Sequence, residues 1–149
     1  MSREPRAGDR GSITLPVLVL TPALLMVGGL VVDGGYAISA RQRAFNVAEQ
    51  AARAGAAALD TAALRAGQAR LVIDCTRPEP CAQELAAAYV ASTDDRLVGP
   101  VQATATTVTV SVEATRRTVV LSVIGIQELT VQATGTAEVQ RGITGPEVP

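Results

Sequence analysis

The sequence predicts an α+β protein: an N-terminal transmembrane helix continuing into an Ala-rich stalk helix, packed on a small antiparallel β-sheet. Three observations predict it. Residues 13–32 form an uncharged apolar run, small residues recur every three or four positions from Ala37 to Ala62, and Thr and Val alternate after Gly99-Pro100. The expected division is a cytoplasmic basic tail over 1–12, the transmembrane helix over 13–32 and the stalk helix over 33–63. A connecting region with a second short helix follows over 64–98, then the antiparallel sheet over 99–141 and a flexible tail over 142–149.

The span is justified by length and by the absence of charge. Ile13 to Val32 is twenty residues, ITLPVLVLTPALLMVGGLVV. As a helix it covers ~30 Å, the thickness of a hydrocarbon core, and it satisfies its own backbone there. The competing reading is a buried core helix, which usually keeps a polar face. Pro16 falls in the first turn, where a missing N–H matters little, whereas Pro22 is internal and predicts a kink. Gly28 and Gly29 either admit a second helix closely or are tolerated flexibility. Arg3, Arg6 and Arg10 precede the run and Arg41 and Arg43 follow it, which favours a cytoplasmic N-terminus. Small residues near Ala37 and Ser39 leave open a cut by signal peptidase, although the apolar core exceeds the usual signal length.

Asp33-Gly34-Gly35 reads as a turn or frayed boundary at the headgroups. In the stalk, Ala37, Ala40, Ala44, Ala48, Ala51, Gly55, Ala58 and Ala62 step by threes and fours onto one helix face. Such a stripe suits close packing, against a partner helix or within this chain; a solvated Ala-rich helix of high intrinsic propensity is the alternative. Glu49 and Arg53 stand four apart in the favourable order, a pair contributing only a few tenths of a kcal/mol.

Cys75 and Cys81 bracket Thr-Arg-Pro-Glu-Pro. Without histidine they cannot complete a four-ligand zinc site, and their spacing is not C-x-x-C. A disulfide is expected if the region lies outside the cytoplasm, and two thiols otherwise. Pro80 to about Ser92 predicts the second helix, with Leu85, Ala86, Tyr89 and Val90 on one side. Thr107 to Glu113 then alternates strictly, Thr118 to Val123 is apolar, and Leu129 to Val139 alternates again. Short connections between these runs predict an antiparallel meander covered on one face by the Ala-rich helix.

Composition excludes several functions. A net charge of −1 offers no field for nucleic acid, and three aromatics, Tyr36, Phe45 and Tyr89, give few bases a stacking platform. No histidine is present to activate Ser39, Ser92, Ser111 or Ser122, and no P-loop or G-x-S-x-G occurs. Asp94-Asp95 are adjacent acids of the kind that are usually solvated. No catalytic, metal-binding or cofactor-binding residue is therefore expected, and no small-molecule substrate. All thirteen basic residues are Arg, which reads as the coding bias of a high-GC bacterial genome.

Arg10-Gly11-Ser12, Pro22, Val31-Val32-Asp33-Gly34-Gly35, Ala40-Arg41-Gln42-Arg43-Ala44 and Ala51-Ala52-Arg53-Ala54-Gly55-Ala56 carry a resemblance. So does Thr118 to Ala133, with Gly125-Ile126 before Leu129-Thr130-Val131. The chain resembles the TadE/TadG-like, pilin-like accessory proteins of tight-adherence (Flp) pilus systems. The resemblance implies a single-pass membrane protein with an extracytoplasmic head. Its partners would be membrane lipid and other pilin-like or pilus-assembly proteins.

It also implies a prepilin-type processing site at Gly11 and Ser12, with Ser12 first after a cut. Many prepilins carry Glu at the fifth position, which pairs with a neighbour's terminal amine; here that position is Pro16. An amine buried without that partner is costly, so the chain is more similar to TadG-type relatives that stay uncut than to a major subunit. The alternative function is a small secreted binding protein released by signal peptidase.

Overall fold

The computed structural model describes residues 13–139. The basic tail, the Gly11-Ser12 site and the tail over 142–149 lie outside the described residues.

One helix, α1, runs unbroken from Thr14 to Ala56, with Pro22 inside it. Asp33-Gly34-Gly35 is therefore helical rather than a turn, because Asp33 finds partners elsewhere in the fold that hold this stretch. The stalk also ends earlier than Ala63. The chain breaks at Ala57, and Asp60 caps a separate short helix, α2 (Thr61–Arg65), by accepting from the Ala62 and Ala63 N–H groups. A third helix, α3 (Ala82–Ala91), starts at Cys81, whose own N–H donates to Glu84 Oε2 at 3.3 Å.

The sheet is antiparallel throughout. Its central strand, β3 (Thr107–Arg117), pairs along its whole length with β4 (Glu128–Glu138). The opposite edge of β3 takes two short strands, β1 (Arg96–Leu97) and β2 (Gln102–Ala103). Their registers differ by two residues, so β1 and β2 form one strand interrupted at Gly99-Pro100, where φ of Gly99 is +75° and Pro100 has no N–H to donate. The sheet thus begins before Gly99. The apolar segment after Thr118 is not a strand of a meander: Leu121–Ile124 forms a 3-10 helix inside a long β3–β4 connection. An apolar run without alternation does not by itself distinguish strand from turn.

The core lies between one face of the sheet and the helices. Val108, Val110, Val112 and Ala114 are fully buried beneath Ala44, Ala48, Ala51, Ala52 and Gly55 of α1 and Ala82, Ala86 and Val90 of α3. Leu85 and Tyr89 pack at its margin. Small residues let the backbones approach closely. A Cβ on Gly135 would stand 2.4 Å from the Ala48 carbonyl carbon, and one on Gly55 would stand 2.8 Å from the Ala82 carbonyl oxygen. The other sheet face is polar, with hydroxyl pairs Thr109–Thr136, Ser111–Thr134 and Thr115–Thr130 linking β3 to β4.

Candidate functional site

The apolar stretch of α1 projects beyond this core. Leu15, Leu18, Leu25 and Val31 are each about 70% exposed, so the run is not a core helix of this chain. Among the described residues α1 is the single helix long and apolar enough to cross a membrane. Its apolar stretch has one buried position, Gly29, which faces Val120 so closely that a Cβ would overlap that side chain.

One turn further on, Asp33 is 96% removed from solvent, with 4% of its surface left exposed. Its carboxylate closes the head onto the helix. The Val119 N–H donates to Oδ1 at 3.0 Å, and the Val120 and Leu121 N–H groups donate to Oδ2 at 3.0 and 2.6 Å. These are the free N–H groups that open a 3-10 helix, and a carboxylate is their strongest available acceptor. The Leu121 N–H above all, with those of Val119 and Val120, holds the Asp33 carboxyl below its ordinary value of 3.8 against the opposing effect of burial.

Sequence reasoning missed this clasp, although a signal existed. Gly29 and Asp33 extend the stripe of small residues backwards at the same spacing of four. The stripe itself faces inward. Ala40, Ala44, Ala48, Ala51 and Gly55 are buried, the last four against the chain's own sheet and α3, and Ala37 is half-buried. That surface is therefore filled from within and is not offered to a partner helix. Ala58 is buried beyond the end of α1, and Ala62 is exposed on α2.

The remaining candidates separate in space. Cys75 and Cys81 form a disulfide with a Cα–Cα distance of 5.0 Å, far from Asp33 in the chain. Glu84 lies beside these sulfurs, but the sulfurs are joined and Glu84 accepts from the Cys81 N–H, so the trio is a helix cap rather than a metal site. Next to it, Arg77 reaches Asp60 at 3.1 Å. The Ala63 N–H first, then Arg77, hold the Asp60 carboxyl below its ordinary value. Asp95 is buried and pairs with Arg116 at 3.3 Å, so the adjacent acids Asp94 and Asp95 do not act as a pair. Glu49 and Arg53 meet at 3.6 Å on the exposed side of α1.

Among the clefts that flank the helix on the head side of Asp33, two lie nearest the stripe's start. One of about 690 Å³ lies between α1 and β4, lined by Ile38, Arg41, Phe45 and Gln132 among others. The second, of about 230 Å³, is lined by Tyr36, Ser39, Ala40, Arg43, Arg116 and Arg117. Neither brings a nucleophile against a base.

These features define an α+β protein in which one helix serves both as the spine of a small head and as an exposed apolar rod. Residues 11–69 match the model of the family described as "Putative Flp pilus-assembly TadE/G-like". The match covers the apolar rod and the stalk. Neither curated proteins nor solved structures gave a match.

Proposed function

We propose that the chain is a membrane-anchored, non-catalytic accessory protein of Flp pilus assembly, similar to a minor pilin. The observation that carries this reading is the exposure of the apolar half of α1 within the TadE/G-like region. The span runs from Ile13 to Val32 in a single pass, with the N-terminus cytoplasmic and the head outside. The Cys75–Cys81 bond supports that side for the head, because disulfides persist in oxidising compartments.

Its work is positional: it holds a rigid α+β head at a fixed height above the bilayer, in contact with lipid and with other pilin-like or pilus-assembly proteins. Nucleic acid and small-molecule substrates have no part in it. Release near Ala37–Ser39 fits the fold less well. That cut would remove Asp33 and leave the N–H groups of Val119, Val120 and Leu121 without their acceptor.

A deletion strain re-expressing the full chain with Gln68→Cys tests the proposal. Pili should be lost on deletion and return on re-expression, and a membrane-impermeant maleimide should label the new cysteine in intact cells. Undiminished piliation after deletion, or labelling only after lysis, would overturn it.

A further inference from the structure

Between Arg117 and Glu128 the chain carries no charge. The connection Thr118–Gln127 is short of polar side chains, yet it stands at the surface. Val119 is 60% exposed, Val123 84% and Ile126 47%, while Thr118 Oγ1 donates to the Ile126 carbonyl and closes the base of the loop. Three exposed aliphatic side chains gathered on one short loop are of the kind that marks a protein or membrane contact.

The position of the loop says what covers it. Asp33 fixes its N–H groups to α1 at the first residue beyond Val32, and Val120 lies against Gly29, one turn inside the apolar stretch. One turn is ~5 Å along the axis. The loop therefore descends past the end of the span by about the depth at which amphipathic segments seat in the headgroup and acyl boundary.

Its surroundings suit a bilayer surface. Tyr36, one turn beyond Val32 on α1, and the exposed Arg117, next to Thr118 of the loop, line one cleft on the head side of Asp33. An aromatic ring and a guanidinium group beside the loop match the interfacial belt and its phosphates.

We propose that the β3–β4 connection is a second membrane contact, with Val119, Val123 and Ile126 seated among the lipid headgroups and upper acyl chains beside the span. The inference rests on the reading that residues 13–32 cross the bilayer. A head held by a span alone can swivel and tilt about it. A head that also rests a loop in the lipid, locked to the helix through Asp33, keeps one orientation towards its neighbours.

The chain has no Trp, so a single introduced Trp reports its own surroundings. Three variants of the full chain, Val123→Trp, Leu25→Trp and Gln68→Trp, are reconstituted into phosphatidylcholine vesicles with brominated acyl chains. Val123 and Gln68 are exposed, so neither substitution disturbs packing. The expected result is blue-shifted emission from Val123→Trp, quenched most by bromine near the headgroups. Leu25→Trp should be quenched by deep bromine and Gln68→Trp by neither. Unquenched Val123→Trp beside quenched Leu25→Trp would overturn the second contact and leave the anchor standing. Unquenched Leu25→Trp would overturn both. Blue-shifted but unquenched Val123→Trp would mean that a second copy of the chain covers the loop, which also overturns the proposal.

Discussion

Gly135 of β4 lies directly on the backbone of Ala48 in α1: a Cβ there would stand 2.4 Å from the Ala48 carbonyl carbon and 2.4 Å from the Glu49 nitrogen. The neighbours are main chain, which no rotamer change relieves. Gly135→Ala should therefore separate helix from sheet and destabilise the head by about 1–3 kcal/mol. Gly34→Ala meets nothing within 4 Å and removes a helix-interior glycine, so it should be neutral or stabilising by up to about 1 kcal/mol. Thermal unfolding of the two variants checks the pair; equal effects would contradict the packing described.

Asp33→Ala should free the β3–β4 connection without unfolding the head, because the core under Val108, Val110 and Val112 does not include it. Amide exchange at Val119, Val120 and Leu121 should accelerate by roughly tenfold or more as buried donors lose a charged acceptor. Exchange at Val110 should stay unchanged. Asp33→Asn should fall between, since one amide oxygen replaces two carboxylate oxygens.

The same contact sets a pH dependence. The folded pKa of Asp33 is lowered from 3.8, chiefly by the Leu121 N–H. A lowered carboxylate contributes its stability above the unfolded value and loses it as pH falls through the folded one. Asp60, lowered chiefly by the Ala63 N–H and then by Arg77, follows the same sign. The pH midpoint of the Val119–Leu121 amide shifts should therefore fall below 3.8. A midpoint above 3.8 would contradict the clasp.

Reduction of Cys75–Cys81, or Cys75→Ser with Cys81→Ser, should destabilise the head by ~2 kcal/mol through the unfolded chain's regained freedom. Denaturant unfolding with and without reductant measures it. The loss should centre on the Cys75–Glu84 region and the Asp60–Arg77 pair, leaving Asp33 and its amides unaffected.

Local periodicity explains what could be read from the chain. The charge-free run over 13–32 and the alternation of Val108, Val110 and Val112 each express one face and one solvent, so neighbours in sequence suffice. The α+β class followed from those two patterns together with the small-residue stripe of the stalk. Asp33 was illegible as a clasp because its donors stand 86 to 88 residues away and are backbone groups, which every residue possesses. The stripe from Ala40 to Gly55 showed that something packs closely, while its occupant depended on the three-dimensional path of β3 and β4. The strands Arg96–Leu97 and Gln102–Ala103 are too short to carry a period at all.

The anchor itself is tested most directly by alkaline carbonate extraction of membranes containing the full chain, followed by flotation on a density gradient. The protein should resist extraction and float with the lipid, as the proposed span from Ile13 to Val32 requires. Recovery of the intact chain as a soluble monomer at the bottom of the gradient would contradict the account.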